Sequence, residues 1–127
     1  MIVDTSALVA IVTGEPGAEA LSLRLTQSPD NVIPSPTVVE LAAVLRQVLG
    51  ASDVGELLRR YDITVVPFDE STALAATRAY LQYGKGSGHP ARLNLGDAYV
   101  AGMALDRGEP VLFTGQDFGK VPGIVPA

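Results

Sequence analysis

Met1-Ile2-Val3-Asp4-Thr5-Ser6-Ala7-Leu8 decides how the rest of this chain is read. A short apolar run that ends in a carboxylate is the pattern of a buried central strand. Asp4, Thr5 and Ser6 then offer N-capping side chains to a helix running through Val12. The alternation continues outward from there. Gly14-Glu15-Pro16 breaks the first helix. A second is predicted from Pro16 or Gly17 to about Gln27, with Ala18, Leu21 and Leu25 inward. Ser28-Pro29-Asp30-Asn31 is a turn, Val32-Ile33 a short strand, and Pro34-Ser35-Pro36 leads into a helix that ends near Gly50. A helix around Val54–Arg60 precedes the strand Ile63–Val66, and Asp69-Glu70-Ser71 opens a helix to about Tyr83. Glycines crowd the segment Gly84–Pro90, which reads as a mobile loop. Asn94 caps a helix to about Arg107, Gly108 stops it, and Val111-Leu112-Phe113 is the next strand. Val121–Val125 could add an edge strand, weakened by Pro122 and Gly123. Strands alternating with helices call for a mostly parallel sheet covered on both faces.

At 127 residues the chain reads as a single domain, 1–127, large enough for one core without staples. The hydrophobic share of 47% against 18% charged argues for a folded chain. The absence of cysteine excludes disulfides, thiolate zinc sites and thiol catalysis. No apolar stretch reaches the roughly 18 residues of a membrane span, and no leader pattern opens the chain, so it reads as soluble and cytoplasmic. A net charge of −5 disfavours a general nucleic-acid coat protein. It leaves room for an enzyme that touches RNA locally, because several acids belong to one candidate pocket.

Those acids are Asp4, Glu40, Asp97 and Asp117. In open α/β sheets ligands lie beyond the carboxyl ends of strands, at a reversal of strand order. Asp4 and Asp117 sit at or just past strand ends, Asp97 in the first turn of its helix, and Glu40 in the first turns of another. Each has a structural reading as well: Asp4 as a helix cap, Asp97 as an acid favoured by the helix dipole, Asp117 as a turn residue. Glu40 interrupts the apolar run Val38–Leu45, where a carboxylate needs a metal or a cation such as Arg46. Together the four suggest a ring of oxygen ligands for a hard divalent cation in a metal-dependent nuclease. Thr5, Ser6 and Asn94 are placed to orient the ligands. Gly96 costs helix stability and makes sense if something approaches its backbone closely. Lys85 and Arg92 read as phosphate contacts, and His89 as a solvated loop residue.

The opening Met1–Leu8, Glu40 in its apolar helix, and the blocks Tyr83–Gly86, His89-Pro90-Ala91 and Leu93–Asp97 together resemble PIN-domain ribonucleases, in particular the toxins of VapBC toxin–antitoxin pairs. The resemblance runs along essentially the whole chain. It implies a three-layer α/β/α fold around a parallel sheet of four or five strands. It also implies Mg2+- or Mn2+-dependent endoribonuclease activity, with catalytic and metal-binding roles at Asp4, Glu40, Asp97 and Asp117. A homodimer, or a higher toxin–antitoxin assembly, and neutralisation by a VapB-type antitoxin come with it. One departure stands out: many relatives carry Thr-x-Asp-x-Asp-Phe after the late strand, whereas Phe113-Thr114-Gly115-Gln116-Asp117-Phe118 keeps only the last carboxylate. Other readings fit less well. An aspartate-nucleophile phosphatase wants a second Asp where Ser6 stands, and a phosphoacceptor domain needs a late-strand Lys for which Lys120 is remote. An inert PIN-like binding module would not need all four acids.

Overall fold

The computed structural model describes residues 1–127. Strands β1 (Ile2–Val3), β2 (Asn31–Pro34), β3 (Ile63–Val66) and β4 (Val111–Leu112) pair in parallel in the order β3-β2-β1-β4. Side chains alternate across a strand. Ile2, Val32 and Val111 accordingly enter one apolar cluster, and Val3, Ile33 and Leu112 the other. The first cluster is closed by α5 (Glu70–Tyr83), α6 (Leu95–Arg107) and the C-terminal tail. The second is closed by α1 (Thr5–Thr13), α2 (Ala18–Gln27) and α4 (Ala51–Arg60). The α/β/α layering expected from the sequence is present, with four strands. Helix α3 (Ser35–Val44) packs against α1 and also reaches α6, so it bridges the two layers.

The chain lays β2 and then β3 on one side of β1 and returns to place β4 on the other. The reversal therefore falls between β1 and β4, and their carboxyl ends frame the crevice. Asp4 is fixed there by its backbone N–H, which donates to the Leu112 carbonyl at 3.0 Å.

Helices α5 and α6 approach closely because their facing residues are small. Ala75, Ala76 and Ala79 are buried on α5, and Ala98, Ala101 and Ala104 on α6. At Gly102 a Cβ would fall 2.5 Å from both the Cα and the N of Ala76. The small residues of α6 thus serve a helix–helix contact as well as the sheet.

Several elements differ from the sequence-based expectations. Helix α3 stops at Val44 rather than near Gly50. Leu45 is buried, and both Val48 and Leu49 donate to its carbonyl at 2.8 Å, which turns the chain over. Asp53 then accepts from the Gly50 N–H at 2.7 Å and starts α4 at Ala51, earlier than expected. In α2 only Leu25 is fully buried; Ala18 and Leu21 are half-buried. Leu41 on α3 and Leu45 just past its end are core, as expected of an apolar helix, while Val39, Val44 and Val48 are exposed. The tail pairs with the sheet later than expected: Val111 donates to Val125 and Ala127 donates to Val111, forming an isolated bridge. A short 3-10 turn, Phe118–Lys120, precedes it. No helix is long and apolar enough to cross a membrane.

The glycine-rich segment is tied down. Lys85 donates to Leu93 and Leu93 to Tyr83, a parallel bridge across its base, and the Ser87 hydroxyl donates to the Gly84 carbonyl at 2.6 Å. His89 is half-buried, not solvated. Its ring packs edge-on against Tyr83 with centroids 4.8 Å apart, and its Nδ1 accepts from the Ala91 N–H at 3.1 Å. That bond leaves the neutral ring's proton on Nε2.

Candidate active site

Asp4, Glu40 and Asp97 come from three elements, and each spends one carboxylate oxygen on an anchor. Asp4 caps α1: its Oδ2 accepts from the Ser6 N–H at 2.9 Å. Glu40, in the second turn of α3, accepts at Oε1 from the Thr5 hydroxyl at 2.5 Å. Asp97 and Asn94 form a reciprocal capping box at the start of α6. The Asn94 N–H donates to Asp97 Oδ2 and the Asp97 N–H to Asn94 Oδ1, both at 2.8 Å. The cap reading and the site reading of Asp4 and Asp97 are thus compatible, because capping uses one oxygen and leaves the other. Asp4 Oδ1, Glu40 Oε2 and Asp97 Oδ1 have no protein donor among the side-chain hydrogen bonds.

Glu40 reaches this place over Gly96. The carboxylate occupies the volume a Cβ on that glycine would fill, at 1.4 Å from Oε2. The sequence marked Gly96 as a point of close approach, and Glu40 is what approaches. Arg46, the alternative partner for Glu40, forms no ion pair with it.

The electrostatics place all four acids in one field. Burial pushes the Asp4 carboxyl up to about 6; its bond to Ser6 opposes the rise, and the charges of Asp97 and Glu40 add to it. Asp97 is also raised, first by burial and then by Glu40 and Asp117, against the Asn94 bond and the nearby Lys85 ammonium. Asp117 lies on the exposed rim, 3.8 Å from the Lys120 ammonium. Ser6 joins that rim to β4, since its hydroxyl accepts from the Thr114 N–H at 3.0 Å. Lys85 is exposed beside the mouth of α6, held there by the bridge to Leu93. Arg92 is exposed, forms no ion pair, and adopts φ +49, a conformation rare for a long side chain. Sequence reasoning missed Lys120 as the neighbour of Asp117; its i,i+3 spacing was the available signal.

The donor set suits a hard divalent cation. All donors are oxygens, no Lys or Arg pairs with Asp4, Glu40 or Asp97, and each of these three keeps an oxygen unclaimed by protein. The site is open rather than ready-made, because no three acidic side chains converge on one point as ligands.

Against known proteins, the PIN domain family model matches residues 1–124. Ribonuclease VapC42 of Mycobacterium tuberculosis is 48% identical over 122 residues, 93% of this chain and 92% of that protein. Ribonuclease VapC28 of the same organism is 38% identical over 122 residues, covering 94% and 92%. Two solved structures share the fold at low identity. A toxin–antitoxin complex from Klebsiella pneumoniae superimposes with a TM-score of 0.71 at 17% identity, over 98% of this chain and 94% of that one. VapBC2 from Rickettsia felis, bound to a DNA fragment from its promoter, gives 0.71 at 14% identity, over 99% and 96%. Together with the acids gathered at the strand reversal, these likenesses establish that the chain belongs to the PIN-domain family, among its VapC-type members.

Proposed function

We propose that this chain is the ribonuclease toxin of a toxin–antitoxin pair, hydrolysing RNA phosphodiester bonds with Mg2+ or Mn2+ at Asp4, Glu40, Asp97 and Asp117. The observation that carries the reading is that three anchored carboxylates, with no ion-pair partner, lie close enough at the reversal of strand order to raise one another's charge cost, though they do not converge on one point. Relatives at 38–48% identity that bear the name ribonuclease support the substrate class. A bound cation would supply positive charge for the phosphate and acidify the attacking water. The chain's own part is positional. Thr5 and Ser6 hold Glu40 and Asp4, and the Asn94 capping box fixes Asp97. Lys85 and Arg92 offer positive charge to the RNA backbone at the rim, and Asp117 is the acid nearest solvent.

The partner follows from the same family. A VapB-type antitoxin is the cognate inhibitor, and a basic side chain placed among the acids is the simplest way for it to block cation and substrate together. The exposed Val39, Val44 and Val48 give apolar surface for the antitoxin or for a homodimer. The cytoplasm is where RNA and such a partner would meet.

The test is cleavage of a mixed-sequence RNA by metal-stripped, antitoxin-free protein, with Mg2+ or Mn2+ restored and Asp97→Asn as control. Metal-dependent cleavage that the variant loses supports the reading. Folded protein that binds Mn2+ yet cleaves no RNA, including structured transfer and ribosomal RNA, would make the chain a PIN-like binding module. Cleavage that survives Asp97→Asn would misplace the site.

A further inference from the structure

We infer that Gly96 is a positioning residue for the reaction proposed above: its bare Cα is the seat that lets Glu40 carry its carboxylate from α3 into the acid cluster. The inference rests on that functional reading and adds to it a residue that bears no ligand atom of its own.

A Cβ on Gly96 would fall 1.4 Å from Glu40 Oε2, 2.5 Å from Cδ and 3.0 Å from Oε1. The three nearest atoms all belong to one side-chain tip. Two ordinary reasons for a glycine do not apply. The backbone is helical here, and Gly96 is absent from the positive-φ residues, so no dihedral demands it. Nor is it needed for helix packing of the kind seen at Gly102, where backbone atoms of Ala76 stand in the way.

The arrangement works against folding twice. Glycine in the first turn weakens a helix, and the space it leaves draws a third carboxylate beside Asp4 and Asp97, where like charges repel. A ligand that neutralises the cluster recovers what folding alone loses. Thr5 completes the seat. Its hydroxyl holds Oε1, so the space over Gly96 and the bond from α1 together fix where Oε2 lies.

The experiment is a two-by-two cycle of Gly96→Ala with Glu40→Ala on the full chain. Mn2+ affinity is read by calorimetry, melting temperature with and without Mn2+, and RNA cleavage alongside. With Glu40 present, Gly96→Ala is expected to weaken Mn2+ by about tenfold or more, as losing the support of a ligand does, while the metal-free melting temperature holds or rises. With Glu40→Ala in place, Gly96→Ala should leave Mn2+ affinity and cleavage unmoved and raise the melting temperature, because the obstructing carboxylate is gone. Should Gly96→Ala alone fail to fold, recovery of folding in the double variant would still identify Glu40 as the group it seats. Equal Mn2+ affinity in wild type and folded Gly96→Ala overturns the inference, and so does the same loss in both backgrounds. Wild-type protein that binds no Mn2+ and cleaves no RNA overturns the functional reading itself, and the seat with it.

Discussion

Two glycines on α6 do opposite work. Gly96, in the first turn, faces the tip of a charged side chain; Gly102, in the second half, faces the backbone of α5 at Ala76. Both exclude a Cβ, and in a sequence both are simply glycines inside a helix. The difference lies in what can yield. A carboxylate at the end of a flexible side chain swings away, so filling position 96 disturbs the site and spares the fold. A helix backbone does not swing away, so filling position 102 pushes two helices apart and disturbs the fold first. The first turn of α6 also holds a raised carboxyl and a capping box, whereas the second half is buried among Val100, Ala101, Met103 and Ala104. One helix thus carries the candidate site at one end, where buried like charges oppose folding, and a packed core at the other that folding requires.

The largest effect should come from the site end. Asp97→Asn keeps an oxygen that can accept from the Asn94 N–H but removes the charge. Cleavage is expected to fall by about a hundredfold or more, as for removal of one electrostatic contact to the reacting group. The metal-free melting temperature should rise, because a desolvated charge beside Glu40 and Asp117 has gone. A matching fall in both quantities would erase the distinction between the two ends of α6. Next in size is Gly102→Ala, a small-to-large change in a tight contact. It should cost about 1–3 kcal/mol in denaturant unfolding and leave the Mn2+ affinity of the remaining folded protein unchanged. A weakened Mn2+ site in that variant would mean that the core end also sets the site.

How much of this was legible in the sequence follows from the range of each signal. The β–α alternation, the Asp4, Asp69 and Asn94 caps and the Gly108 stop were readable because they are local. That Asp97 would neighbour Asp4, Glu40 and Asp117 was readable because strand ends and helix starts in this fold lie at one end of the sheet. The end of α3 was not. Whether Leu45 continues a helix or anchors a turn depends on burial against α1 and α4, and the competing start at Asp53 lies past the glycine that seemed to end it. His89 was misread for the same reason, since its partner Tyr83 lies across a bridge that glycine content alone suggests is loose. Gly96 was legible as an anomaly. Its cause was not, because Glu40 is far away in sequence and only the α3–α6 contact brings it near.

A pH titration sharpens the contrast at intermediate size. The Asp4 carboxyl is raised from an ordinary value of 3.8 to about 6, chiefly by burial. A group with a raised folded pKa favours the folded state most at pH below its unfolded value, and that contribution is lost as pH rises through the folded value. In metal-free protein this part of the stability should therefore decline between about pH 4 and pH 6 and level off above. With Mn2+ present the added stabilisation should grow over the same range, because the cation competes with the proton. Asp4→Asn should flatten both trends relative to wild type, and thermal melts at several pH values check it. An unaltered pH profile in Asp4→Asn would place the raised group elsewhere.

The smallest effect belongs to a third glycine, and it separates needing space from needing a dihedral. Gly115 stands where the resemblance to PIN-domain ribonucleases leads one to expect an additional Asp, and its backbone has φ +86 with nothing within 4 Å of a would-be Cβ. Here nothing obstructs a side chain; the cost of adding one is that of a left-handed backbone alone, about 1–2 kcal/mol for an L-residue. Aspartate tolerates this region better than most residues, so Gly115→Asp should lower stability by about 1 kcal/mol or less, below Gly102→Ala. The new carboxylate would join the rim beside Asp117, not the inner trio anchored by Ser6, Thr5 and Asn94. Mn2+ affinity should then change by less than about threefold, under 1 kcal/mol on the scale where tenfold is 1.4. A tenfold gain in Mn2+ affinity would show instead that the rim, and not the seat over Gly96, limits how tightly this site holds its cation.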